Sequence, residues 1–325
     1  MASTHGEWCT IESDPAVFTE LIRDFGVTGM QVEELYMLDE SLFEQLRPIH
    51  GLIFLFKWEQ EGPKKSPPKL ADSKNIYFAK QVIHNACATQ AIVNILLNVE
   101  HNDLKLGETL VSFKEFSNGF DPLLRGQCLS NCEVIRNVHN SFARNELFET
   151  FGRKAEKEED VFHFVGYLPI NGRLIELDGL AEGPIDHGEI PAGRDWLHIA
   201  TPIIENRMNT YSGREIRFTL LALITDRKMV YSKQLAELQA QYQSMPTDDI
   251  SQQIAQLNGL MQDEVEKERL SKVENIRRKH NFLPLIIELF KVFAESGNLK
   301  LLYDEASKKG QERERRNKRL KTEAS

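Results

Sequence analysis

The strand signal stops at Asp226. Up to that residue the chain alternates short apolar runs with amphipathic stretches of helix length, and beyond it helix formers take over with no further run of strand composition. This switch constrains the fold more than any other feature. It predicts an α/β or α+β domain over residues 1–226 and an all-helical region over 227–325. Candidate strands in the first part cover 51–58, 76–82, 161–168, 173–178 and 216–224, and candidate helices cover 14–25, 86–98, 109–118, 130–143 and 195–211. "EQEGPKKSPPKLADSK" (59–74) reads as an exposed, mobile loop, and "RNELFETFGRKAEKEED" (144–160) is a second polar insert, long for a structureless connection. In the second part Ile254, Leu257, Met261 and Val265 recur at spacings of three and four, the period of one helix face. "SMPTDD" (244–249) reads as a hinge between two of these helices, and no internal repeat is present.

Charge divides along the same line. Residues 1–226 carry 34 acidic and 21 basic side chains, a net −13, whereas 227–325 carry 15 and 19, a net +4. The acidic part favours a basic protein partner and disfavours nucleic acid, although solubility alone accounts for it equally well. The basic cluster "RERRNKRLKT" (313–322), within a tail over 310–325, reads as a nuclear import signal, a nucleic-acid contact or a plain solvated helix end. Direct nucleic-acid binding is the weakest of these readings. The first fifteen residues lack a basic start followed by an apolar run, and no apolar stretch approaches the ~18 residues that span a bilayer, which argues against secretion and membrane insertion. Four cysteines among 325 residues are too few for a disulfide framework and point to a reducing compartment, cytoplasm or nucleus.

In such a compartment a singled-out thiol is chemical more often than structural. Within "QVIHNACATQAIVNILLNV" (81–99) a strand-like run ends and an apolar-periodic helix begins, with Asn85 as the expected N-cap and Cys87 in the first turn. Unpaired N–H groups and the positive end of the helix dipole favour thiolate there, and thiolate is the nucleophile. An inert buried cysteine is the competing reading.

A thiolate that attacks a carbonyl also needs a base. "VFHFVGYLPINGRLIELD" (161–178) has Asn-Gly between two apolar runs, the strongest short-range hairpin signal. A two-residue loop pairs Val165 with Asp178 and His163 with Leu180, and a four-residue loop pairs His163 with Asp178 directly. Both registers put His163 and Asp178 on one face as neighbours, so the carboxylate orients the imidazole. Gln81, six residues before Cys87, is a candidate oxyanion donor alongside the Cys87 N–H, with an exposed strand-end glutamine as the alternative. Cys128 and Cys132 lie four apart near His139, but a closed zinc site needs a fourth ligand, so structural cysteines are favoured. His84 has no evident carboxylate orienter.

At these residues the sequence resembles the ubiquitin C-terminal hydrolase family of cysteine peptidases. The nucleophile segment stands as "QVIHNACATQA", and the histidine strand as "DVFHFVGYLPINGRLIELDGL" followed by "GPID". Similarity extends to "GEWCTIESDPAVFTELIRDFGVTGMQVEEL" and "ENIRRKHNFLPLIIELFKVFAE", nearly the whole chain, and is greatest to the proteasome-associated branch with its helical extension. The resemblance implies an antiparallel β-sheet core flanked by helices with a papain-like catalytic arrangement. It assigns Cys87 as nucleophile, His163 as base, Asp178 as orienter and Gln81 as oxyanion donor, with no cofactor and no metal. It further implies a crossover loop at about 144–160 that admits the ubiquitin tail and disfavours bulky folded adducts. Implied partners are ubiquitin and its conjugates, a proteasome ubiquitin receptor engaged by the C-terminal helices, and a chromatin-remodelling subunit, with no membrane partner. An adaptor with conditional catalysis is the alternative function.

Overall fold

In the computed structural model, residues 7–57, 68–72, 75–143, 162–211 and 218–310 are described. The inserts at 59–74 and 144–160 therefore fall largely or wholly outside the described residues, as does the basic cluster at 313–322. In chain order the elements are α1 (Pro15–Asp24), β1 (Met30–Glu34), α2 (Glu40–Leu46), β2 (Ile49–Lys57), α3 (Cys87–Leu96), α4 (Gly107–Phe116), α5 (Pro122–Asn131) and α6 (Glu133–Asn140). They continue with β3 (Phe162–Ile170), β4 (Arg173–Asp178), β5 (Ile185–Glu189), α7 (Leu197–Tyr211), β6 (Phe218–Thr225), α8 (Arg227–Ser244), α9 (Asp248–Lys279) and α10 (Leu283–Glu295).

The six strands form one antiparallel sheet in the order β1-β6-β2-β3-β4-β5. This is the α+β class with helices on both faces. Strand alternation sorts the core into two halves. Ile53, Leu55, Phe164, Ile175, Leu177 and Leu221 point to the face covered by α1 and α3, whereas Leu52, Phe54, Val165, Tyr167, Leu174 and Leu220 point to the face covered by α2 and α7. Asn171 and Gly172, both at positive φ, turn β3 into β4, which is the two-residue primed turn that Asn-Gly favours.

Residues 76–82, expected as a strand, join no named strand. Their backbone is claimed instead by side chains of α3 and of the turn that follows it: Asn94 Oδ1 accepts from Ala79 N at 2.9 Å, Asn98 Oδ1 accepts from Tyr77 N at 2.7 Å, and Asn98 Nδ2 donates to Tyr77 O at 2.7 Å. With those groups satisfied, the extended segment needs no ladder.

The chain divides into two compact units. The first contains the sheet and α1 to α9, so its packing continues past the end of the sheet at Asp226 as far as Lys279. Helix α9 is fastened to α1 by Asn275, which is buried and donates to Ala16 O at 3.2 Å, and by Arg23 on Glu268 at 3.0 Å. The second unit contains α10 and a helical stretch over 299–310. No residue of α10 is buried, and Leu285, Leu289, Phe290 and Val292 are exposed.

Candidate active site

The histidine and aspartate of the hairpin meet. Val165 pairs with Asp178, the register of the two-residue loop, so His163 and Asp178 are diagonal neighbours on one face. His163 Nε2 lies 2.7 Å from Asp178 Oδ1, and Leu180 N donates to the same oxygen at 2.9 Å. His163 is buried and Asp178 half-buried. Burial pushes the Asp178 carboxyl up, but the His163 hydrogen bond and charge, the Leu180 N–H and Arg207 outweigh it and hold the group below its ordinary range. An ionised Asp178 can only accept, so Nε2 carries a hydrogen toward it and Nδ1 is the ring nitrogen on the other side.

Two glycines bring the thiol to this end of the sheet. A Cβ on Gly166 would lie 2.9 Å from Ile95 Cδ1, and one on Gly179 would lie 2.9 Å from Gln81 Cβ and 3.1 Å from Gln90 Nε2. Their bare backbones therefore let α3 cross β3 and β4 closely. The α3 contacts run from Gln90 at Gly179 to Ile95 at Gly166, so Cys87, which precedes Gln90, lies toward the Asp178 end of the hairpin. Gln81 is tied to that end, its N–H donating to Gly179 O at 2.8 Å, one residue past Asp178.

Cys87 is the first residue of α3. Asn85, expected to cap the helix, donates its Nδ2 to Trp8 O at 2.9 Å instead, and Ala86 at the cap position makes no side-chain cap bond. No capping side chain therefore competes with the sulfur for the N–H groups of the first turn. Burial pushes the Cys87 thiol up to about 11, against the opposing pull of the Ala88 and Cys87 N–H groups. Helix position alone predicts thiolate; enclosure of the sulfur reverses that in the resting chain.

One contact is not made. Among the described residues no hydrogen bond joins Cys87 Sγ to His163. His163 shares its face with Val165 and Tyr167, on the α7 side, and sets its edge against Phe56 with ring centroids 5.7 Å apart, whereas Cys87 borders the cluster on the α3 side.

Sequence reasoning passed over the groups behind the dyad. Glu176, two residues before Asp178 and on the same face, is paired with Arg207 of α7 at 2.7 Å and with His187 at 2.7 Å. The period-2 spacing of Glu176 and Asp178 was readable as a signal, but nothing in the sequence placed Arg207 against them. His139 is buried between Thr89 Oγ1 and Cys9 O, each at 2.7 Å. Among the described residues no group of three or more His, Cys, Asp or Glu side chains is arranged to hold a metal ion.

Comparison with known proteins shows the family. Residues 8–209 match the family described as "Ubiquitin carboxyl-terminal hydrolase, family 1", and 254–299 match one described as "Ubiquitin carboxyl-terminal hydrolases". The chain is 47% identical to ubiquitin carboxyl-terminal hydrolase ubh-4 of Caenorhabditis elegans, over 96% of this chain and 95% of the relative. It is 43% identical to ubiquitin carboxyl-terminal hydrolase isozyme L5 of Dictyostelium discoideum, over 92% and 95% respectively. Among solved structures it is similar to Trichinella spiralis UCH37 bound to ubiquitin vinyl methyl ester, with a TM-score of 0.66 and 42% identity, covering 81% of this chain and 99% of that one. The chain belongs to the ubiquitin carboxyl-terminal hydrolases of family 1 and is a thiol-dependent deubiquitinating peptidase.

Proposed function

We propose that Cys87 is the nucleophile, His163 the general base and acid, Asp178 the group that orients His163, and Gln81 with the Cys87 N–H the oxyanion donors. The observation that carries this reading is the 2.7 Å bond between His163 Nε2 and Asp178 Oδ1 at the same end of the sheet as the first turn of α3. In the reacting arrangement the His163 ring turns toward α3 while Nε2 stays on Asp178, and Nδ1 takes the thiol proton. Sulfur then attacks the carbonyl of the last glycine of ubiquitin, and Gln81 and the backbone N–H hold the resulting oxyanion. His163 gives the proton to the leaving amine, then deprotonates the water that hydrolyses the thioester. The structure from Trichinella, whose partner is ubiquitin bearing a vinyl methyl ester, supports ubiquitin as the recognised group.

Kinetics on ubiquitin-amidomethylcoumarin test the roles. Cys87→Ala is expected to abolish hydrolysis, and most of the activity surviving would reject the nucleophile. Asp178→Asn is expected to lower kcat by about 100-fold or more with ubiquitin binding retained. A near-normal rate would remove its orienting role.

The helical region over 227–325 serves partner docking, with residues 1–226 carrying catalysis. The exposure of Leu285, Leu289, Val292 and Phe293 along one side of α10 supports this, because an amphipathic helix presents such a face to a groove. The partners we propose are a proteasome ubiquitin receptor and, through the same helices, a chromatin-remodelling subunit. All four cysteines are free thiols, which supports a cytoplasmic and nuclear setting. Pull-down of the receptor by the whole chain, lost when four apolar positions of α10 are made serine, is the expected result; undiminished capture would contradict it.

A further inference from the structure

Behind the His163–Asp178 pair lies a charged cluster, with Glu176 buried and Arg207 and His187 half-buried, that the reaction as described does not use. Asp178 Oδ1 is occupied by His163 and by the Leu180 N–H, and its other oxygen, Oδ2, faces Arg207 Nη2 at 3.7 Å. Arg207 is itself held on three sides. Its Nη1 donates to Glu176 Oε1 and to Tyr167 OH, each at 2.7 Å, and its guanidinium lies over the Phe56 ring at 5.0 Å. The second oxygen of Glu176 is taken by His187 Nε2 at 2.7 Å. Phe56 in turn meets the His163 ring edge-on. One guanidinium therefore touches both supports of the imidazole, the carboxylate it bonds and the aromatic ring it leans on.

We infer that Arg207 is a positioning residue for the catalytic pair, fixing the Asp178 carboxylate and the Phe56 ring. The inference rests on His163 acting as the base. Three features distinguish this from a merely structural ion pair. The geometry is a fork with one nitrogen aimed at each of two carboxylates, which a lysine cannot reproduce. The groups that face Asp178 are His163 on β3, Arg207 on α7 and Glu176 on β4, with Tyr167 on β3 and His187 on β5 one contact further out. And the two charges behind the dyad oppose each other, so removing them one at a time drives the pair in opposite directions. Loss of the Arg207 cation strengthens the pull of Asp178 on an imidazolium, which moves the acid limb of the kcat/KM profile to higher pH. Loss of the Glu176 anion moves it to lower pH.

The test compares the whole chain with its Arg207→Met, Arg207→Lys, Glu176→Gln, Arg207→Met/Glu176→Gln and His163→Gln variants. Ubiquitin-amidomethylcoumarin hydrolysis is followed across the acid limb, and thermal melting is recorded for each protein. Arg207→Met is expected to lose about tenfold or more in kcat with KM within about twofold, and to displace the limb upward by roughly half a unit to one unit. Arg207→Lys recovers the limb but only part of kcat, and Glu176→Gln moves the limb down. Should Arg207→Met melt below the assay temperature because Glu176 is left unpaired, the double variant decides, and it must lie below Glu176→Gln alone in kcat and above it in limb position. Wild-type kcat with an unmoved limb in a folded Arg207 variant would overturn the inference, as would a change confined to KM. If His163→Gln keeps its activity, the assignment of the base fails; if His163→Gln is inactive and the Arg207 variants are normal, only the positioning role fails.

Discussion

Cys87 shows how far one residue's chemistry is set by its surroundings. The helix start alone argues for thiolate, yet enclosure of the sulfur pushes the thiol up to about 11, so the resting group is neutral near pH 7. Alkylation of Cys87 by iodoacetamide in the free chain is therefore expected to rise about tenfold per pH unit from neutrality to pH 9, because thiolate is the reacting form. A plateau reached below pH 8 would show a preformed thiolate–imidazolium pair instead. The partnership of His163 and Asp178 was legible from strand parity alone, since both registers of the Asn-Gly hairpin put them on one face. The charge state of the thiol was not legible, because it depends on atoms that tertiary packing delivers. Gly179 carries a similar hidden dependence. A Cβ there would stand 2.9 Å from Gln81 Cβ, so Gly179→Ala is expected to displace Gln81 and cut kcat by about tenfold while leaving KM within about twofold. Unaltered kcat would separate Gln81 from the oxyanion.

At the scale of elements, β2, β3, β4 and β6 were readable because each buries both faces and carries an apolar run. The two edge strands were not. β1 (Met30–Glu34) and β5 (Ile185–Glu189) form the borders of the sheet and include Gln31, Glu33, Glu34, Asp186 and Glu189, a composition closer to a loop than to a core strand. The segment 76–82 misleads in the other direction: Ile76 to Ala79 are buried, but the backbone of Tyr77 and Ala79 bonds to Asn98 and Asn94 rather than to a neighbouring strand. That makes Asn94 a structural keystone of the approach to Cys87. Asn94→Ala leaves the Ala79 N–H without its partner and is expected to cost about 2–3 kcal/mol in urea unfolding. A loss below about 0.5 kcal/mol would show that the segment is held by its apolar packing alone.

Over the whole molecule, the change of pattern at Asp226 marks the end of the sheet, while the first compact unit runs on to Lys279 through α8 and α9. Glu268 of α9 draws Arg23, Lys228 and Lys272 together. Burial acts to raise its carboxyl, but these cations win and hold it at about 2, below the ordinary 4.5. A depressed carboxylate stabilises the fold above its unfolded value and loses that contribution as pH falls through the folded one. The advantage of the wild type over Glu268→Gln is thus expected to be about 1 kcal/mol at pH 7 and to vanish between about pH 4.5 and pH 2; an advantage that persisted at pH 2 would contradict the ion cluster as its source. A chain cut after Lys279 keeps every one of these contacts and is expected to hydrolyse ubiquitin-amidomethylcoumarin within about threefold of the whole chain, whereas a cut after Asp226 strips the α1 surface and lowers the melting temperature. Recognition and chemistry are tested together by incubating the whole chain with ubiquitin carrying a C-terminal thiol-reactive electrophile and mapping the modified residue by peptide mass spectrometry. One adduct is expected, on Cys87, formed at least tenfold more slowly in His163→Ala by the loss of the base; an adduct on Cys9, Cys128 or Cys132, or a rate indifferent to His163, would contradict these roles.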